Sequence, residues 1–166
     1  SAVSVGYPDV SEPEIDTDLR TPEERRVDHI TGILREFRVF SVDDVHHAWA
    51  ELTRAAGDHS PAIRIAVASH RLTPPTVLNQ LGSDQDANVR GAVARNDRTA
   101  VATLTRLAGD QDPGVRRMVA YYGNADHQLL LAGDPDRDVR AAIAQRFQPS
   151  AAALTRLASD QDVHIR

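Results

Sequence analysis

Leu104-Thr105-Arg106-Leu107-Ala108-Gly109-Asp110-Gln111-Asp112-Pro113-Gly114-Val115-Arg116 decides the fold, because its pattern recurs along the chain in one register. Aligning on Asp110 brings Asp58, Asp84, Asp134 and Asp160 into line, at spacings of 26, 26, 24 and 26 residues. Six positions after each Asp stands an Arg: Arg64, Arg90, Arg116, Arg140 and Arg166. A β-branched residue precedes each of these, namely Ile63, Val89, Val115, Val139 and Ile165. Self-similarity at a period of 20–50 residues is the signature of a stacked repeat, in which one unit cannot bury its apolar face alone.

Each period contains two helices. Two residues after each leading Asp comes a residue suited to an N-cap (Ser60, Asp86, Asp112, Asp136 and Asp162), with Pro61 and Pro113 at the favoured first helical position. The helix that starts there, helix B, turns inward its β-branched residue and the positions three and four later, such as Ile63, Ala66 and Val67, or Val115, Met118 and Val119. Upstream of each Asp lies helix A, over 76–82, 100–109, 127–133 and 150–159, with Leu pairs three apart at Leu78 and Leu81, Leu104 and Leu107, and Leu154 and Leu157. Its Gly or Ser terminus is expected to end the helix through a left-handed Gly. The 24-residue unit has lost two positions around Tyr121-Tyr122-Gly123-Asn124, so its helix A is expected to be the shortest.

Thr21-Pro22-Glu23-Glu24 reads as a capping box that opens a helix carrying Val27, Ile30, Ile33, Leu34 and Phe37. Ser41-Val42-Asp43-Asp44 opens another, with Val45, Ala48, Trp49 and Leu52 on its buried face and Gly57 at its end. The expected organisation is an acidic, disordered leader over 1–20, capping helices over 21–57, the second of which doubles as helix A of the first repeat, and repeats over 58–166. The last of these is expected to be incomplete, because Val163-His164-Ile165-Arg166 reaches only one turn into a helix B. The fold class is all-α: a right-handed superhelical α-solenoid of about five helix pairs with an N-terminal helical cap.

The run from Leu104 to Arg116, followed by Met118-Val119-Ala120, resembles the leucine-rich repeat variant family, and Ala92-Val93-Ala94-Arg95-Asn96-Asp97-Arg98-Thr99 is similar to that family's stretch between helices. The resemblance spans roughly residues 45–166 and implies HEAT-like helices wound into a right-handed superhelix. Some proteins of that family hold iron–sulfur clusters through cysteines outside the repeats. This chain has no Cys, so no cofactor is expected.

Composition narrows the function. Zero Cys excludes disulfides and cysteine nucleophiles, and the absence of a long apolar run points to a cytoplasmic chain with no membrane span. All nineteen basic residues are Arg, which is read as the codon bias of a GC-rich bacterial genome. Of the net charge of −5, residues 1–24 carry −6 and the body +1, a poor surplus for gripping a polyanion.

The Asp and Arg ladder has two readings: a stripe of guanidiniums gripping phosphates, or a structural lock that pairs each Asp and Arg with loop backbone or with the neighbouring repeat. The structural reading is preferred. Asp134-Pro135-Asp136-Arg137-Asp138 alternates like a calcium loop, but Val139 and Gln145 stand where Gly and Glu are required. His46 and His47 point about 100° apart on a helix, which disfavours a shared metal. No nucleophile elbow, phosphate loop or paired-carboxylate signature appears, so no catalytic residue and no metal is assigned and the chain is expected not to be an enzyme.

Candidate partner-binding positions lie just past helix B, at Ser69-His70, Arg95-Asn96, Tyr121-Tyr122 and Gln145-Arg146, where a constant backbone carries changing side chains. The plainer reading is that Asn96 caps a helix and the others are solvated. Tyr121, Tyr122, Arg95, Asn96, His70 and Arg146 are the chosen residues, with Arg71, Arg98 and Phe147 extending the patch. The expected partner is a protein or peptide. A nucleic-acid module or base-repair enzyme using the Arg rows is the alternative. Thr17 and the acids around it allow the leader to be phosphorylated or to fold back on an Arg-lined face.

Overall fold

A computed structural model describes residues 20–36, 42–146 and 148–166. The expectations for residues 1–19, Phe37, Ser41 and Phe147, and for the Leu34 side chain, lie outside the described residues.

Ten α-helices follow one another among them: α1 (Pro22–Glu36), α2 (Val42–Ala55), α3 (Pro61–Ser69), α4 (Pro75–Leu81), α5 (Ala87–Arg95), α6 (Val101–Leu107), α7 (Pro113–Tyr122), α8 (Ala125–Leu131), α9 (Arg137–Ala144) and α10 (Ala151–Leu157). Local chemistry sets the starts. The Asp86 carboxylate accepts the Asn88 N–H, that of Asp112 accepts those of Gly114 and Val115, and that of Asp136 accepts those of Asp138 and Val139. Each such cap is worth about 1 kcal/mol to helices too short to stand alone. At α1 the capping box forms, with the Thr21 N–H donating to Glu24 Oε2 at 2.7 Å and the Glu24 N–H to Thr21 Oγ1 at 3.2 Å.

The helices form two layers. In one, α1 packs on α3, α3 on α5, α5 on α7 and α7 on α9; the other holds α4, α6, α8 and α10, with α4, α6 and α8 each wedged between two helices of the first. The buried seam between the layers takes Leu81, Leu107, Leu131 and Leu157 from one side, and Val67, Val93, Val119 and Ile143 from the other. Each of these side chains contributes about 1.5–3 kcal/mol by leaving water. This is an all-α fold of recurring helix pairs in a solenoid-like arrangement.

Two expectations are corrected. No described glycine has positive φ, and Gly82 at the end of α4 sits at φ −64°, ψ −6°. A short right-handed turn carries the chain from helix A to the leading Asp, with the Asp84 N–H donating to Leu81 O at 3.0 Å and the Asp110 N–H to Leu107 O at 3.1 Å. Ser83 and Ser159 occupy the place of Gly57, Gly109 and Gly133, which a left-handed cap would have disfavoured. Nor is helix A shortest in the 24-residue unit: α8 has seven residues, as do α4, α6 and α10, and it starts at Ala125 rather than His127. The missing residues come from the link before it. Only Gly123 and Asn124 separate α7 from α8, whereas residues 96–100 separate α5 from α6. A Cβ on Gly123 would stand 2.5 Å from Val119 O and 2.9 Å from His127 Cβ, so this tight link requires glycine.

Candidate functional site

The ladder residues join into one chain of bidentate pairs. Arg64 donates from Nε and Nη2 to the two carboxylate oxygens of Asp84, at 2.7 and 2.9 Å, while its Nη1 donates to the carbonyls of Asp58 and His59. Arg90 treats Asp110 and the carbonyls of Asp84 and Gln85 in the same way, and Arg116 does so with Asp134 and the carbonyls of Asp110 and Gln111. Arg140 completes the set with Asp160 and the carbonyls of Asp134 and Pro135. Each guanidinium thus holds the loop of its own repeat and the carboxylate of the next. At the front of the stack Arg26 of α1 donates to Asp58, filling the place that a preceding repeat's Arg would take. Arg166 is exposed.

Electrostatics follow the geometry. The pKa of Arg64 is raised, first by its bond to Asp84, and that of Arg140 first by its bond to Asp160. Asp84 and Asp160 are held below the usual carboxylate range, chiefly by Arg64 and Arg140. For Asp110 burial is the largest single influence and pushes upward, yet the Arg90 and Asp112 hydrogen bonds and the nearby guanidiniums bring the net shift down. Four guanidiniums committed in this way have little left to offer a phosphate.

The outward face of the layer α3, α5, α7 and α9 varies while the ladder stays fixed. Equivalent positions read Ala62, Asn88, Gly114 and Asp138; then Ile65, Gly91, Arg117 and Ala141; then Ser69, Arg95, Tyr121 and Gln145, while Ala66, Ala92, Met118 and Ala142 pack against the core. An open trough of about 400 Å³ crosses this face, lined by residues of α3, α5 and α7 together with Asp112. At its C-terminal edge the Arg95 guanidinium lies 5.8 Å from the centre of the Tyr122 ring, and Tyr121 meets Tyr122 edge-on at 4.9 Å. Both tyrosines are exposed, at 39% and 45%.

The structure therefore brings Tyr121, Tyr122 and Arg95 together, and Arg146 comes next to them, donating from Nη1 to Gly123 O at 2.5 Å. Asn96 and His70 are placed differently. Asn96 is buried, and its Nδ2 donates to the carbonyls of Ala68 at 2.7 Å and His70 at 3.1 Å, joining one interhelix link to the previous one. His70 Nδ1 accepts the Leu72 N–H at 3.2 Å, the same local turn that Asn96 Oδ1 makes with the Arg98 N–H. Sequence reasoning overlooked the exposed Arg117, whose outward position follows once Val115 and Val119 are fixed as inward.

Beneath the tyrosines the shortened link encloses a polar knot. His127 Nδ1 accepts the Asn124 N–H at 3.2 Å, and its Nε2 lies 3.0 Å from Thr105 Oγ1, which itself donates to Val101 O. An imidazole that accepts at Nδ1 and meets a hydroxyl oxygen at Nε2 is the neutral tautomer with its proton on Nε2. Burial lowers the His127 pKa, against a small opposing pull from Asp126. Gln128 accepts the Ser150 N–H at 2.7 Å and donates to Gly123 O at 3.4 Å, so this knot ties three repeats.

Among the described residues no group of three or more His, Cys, Asp or Glu is arranged to hold a metal ion, and no helix is long and apolar enough to cross a membrane. Fold and site together define a helical-repeat protein with a constant internal ladder and a variable outward face. No protein-family model, curated protein or solved structure matches the chain.

Proposed function

We propose that the chain is a cytoplasmic, non-enzymatic scaffold that binds a protein or peptide on the outward face of α3, α5, α7 and α9. In this reading residues 1–20 are a leader, 21–57 a cap and 58–166 repeats akin to the leucine-rich repeat variants, wound as a right-handed superhelix. The observation that carries it is the exposed cluster of Tyr121, Tyr122 and Arg95. It stands where other repeats place Ser69 and Gln145, although the backbone beneath is the same. Aromatic and Arg side chains dominate contact hot spots, and Tyr121 and Tyr122 meet edge-on just before the tight link at Gly123. The alternative that the Arg rows grip nucleic acid loses support, because those guanidiniums are already bound to Asp and to carbonyls.

The test uses the purified chain as bait in a lysate of its own organism, beside Tyr121→Ala/Tyr122→Ala, with retained molecules identified by mass spectrometry. The expected result is a protein held by the first and lost from the second. Retention of nucleic acid, or equal retention by both baits, would refute the proposal.

A further inference from the structure

The geometry points to an extended acidic peptide of a partner protein as the occupant of the trough across α3, α5 and α7. This deepens the scaffold reading and rests on it.

The trough suits a polypeptide backbone. Its floor is made of small residues, Ala87, Gly91, Ala92 and Gly114, between the side chains of Ile65 on α3 and Met118 on α7. A Cβ on Gly91 would meet Met118 Cγ at 3.7 Å, ordinary contact, so Met118 rests over a buried Gly91 and the small residues keep the trough low. Helices packed about 8–10 Å apart put α3 and α7 about 20 Å from one another, the span of about six extended residues. Small floor residues let a main chain approach, and the apolar walls take alternate side chains.

Charge selects the class of peptide. Arg95 and Arg117 are exposed at the trough, and among the described residues no carboxylate is paired with either. Asp112, the one acid that lines it, points its carboxylate back at the α7 backbone, accepting from Gly114 N–H at 2.7 Å and Val115 N–H at 3.3 Å. The ladder cations behind the floor are neutralised by their own Asp partners. The trough is therefore a positive strip, bounded by the exposed acids Glu23, Glu24 and Asp28 on α1 and by the Arg137 and Asp138 pair on α9. A peptide with carboxylates about two to four residues apart can engage both guanidiniums at once, each as a planar fork.

Fluorescence anisotropy on the full chain tests this, with a fluorescein-labelled peptide of alternating Glu and Ala, about ten residues long, and a Lys and Ala counterpart. The Glu peptide is expected to bind and the Lys peptide not. Arg95→Glu/Arg117→Glu should weaken binding by about tenfold or more, as should raising salt from about 50 to about 500 mM. Both residues are exposed, so the thermal melt of this variant should match wild type, and Arg95→Lys/Arg117→Lys should recover part of the binding. Absence of binding, equal binding of both peptides, or indifference to the charge reversal overturns the proposal. Binding seen only after Asp9, Glu12, Glu14, Asp16 and Asp18 are changed to Asn or Gln would make the chain's own leader the occupant, and overturns it too. If the acidic probe fails while the tyrosine-dependent bait still retains a protein, the scaffold reading stands and the acidic class falls.

Discussion

Replacing Arg90 by Met probes the middle rung of the ladder. Arg90 is almost fully buried and makes four hydrogen bonds, two to the Asp110 carboxylate at 2.7 and 2.8 Å and two to the carbonyls of Asp84 and Gln85 at 2.8 and 3.2 Å. Methionine keeps much of the volume and removes all four. What remains is a nearly buried carboxylate stripped of its bonded counter-ion, with the Asp112 N–H at 2.9 Å as its remaining donor. Breaking a buried pair from one side costs about 3–5 kcal/mol, which in a protein of this length lowers Tm by about 10 °C. Urea unfolding followed by far-UV circular dichroism measures it, with Arg95→Met as the exposed control on the same helix, expected within about 0.5 kcal/mol of wild type. Adding Asp110→Asn to Arg90→Met should recover about 1–3 kcal/mol, because no uncompensated charge is then left inside. A loss below about 1 kcal/mol for Arg90→Met would refute the claim that the ladder holds the stack in register.

Two glycines should respond in opposite directions: Gly123→Ala lowers unfolding free energy by about 1–3 kcal/mol through the clash with Val119 O, whereas Gly91→Ala raises it by about 0.5–1 kcal/mol, both read by urea melts. Asn96→Ala, which takes the Nδ2 donor from the Ala68 carbonyl and leaves His70 O with the Thr73 N–H alone, should cost about 1–3 kcal/mol in the same assay. Because the folded state lowers the His127 pKa, its contribution is complete above the unfolded value of about 6.5 and is lost as pH falls through the folded value. Urea midpoints taken from pH 7 downward should therefore decline in wild type, and decline less in His127→Val, which carries the residue found at the equivalent Val77.

The repeat was readable because its signals agree: Asp86, Asp112 and Asp136 cap where the caps were expected, and Val89, Val115 and Val139 face inward. Which carboxylate each Arg grips was not readable. Arg64 takes the carbonyls of Asp58 and His59 in its own unit but the side chain of Asp84 in the next, a choice made by stacking distance rather than by sequence separation. The turn after helix A was misread by giving Gly109 and Gly133 their usual role, when Ser83 and Ser159 at the same position already argued against a left-handed cap. The deletion before α8 was assigned to the helix, although Asn124 followed three residues later by His127 is the mark of a helix start and confines the loss to the link. The tyrosine cluster was legible as an interruption of the pattern. The trough beside it was not, because its walls come from three units and no single stretch of chain contains them.

The ladder also bears on how such a chain changes length. Every rung points the same way, so the carboxylate that Arg64 needs is supplied equally well by Asp84 or by Asp110. Removing or duplicating one 26-residue cassette, such as residues 84–109, rejoins a ladder donor to a ladder acceptor, whereas ties such as that of Thr105 to His127 belong to their own neighbours. Each added cassette would therefore inherit the internal clasp intact while bringing three outward positions free to diverge.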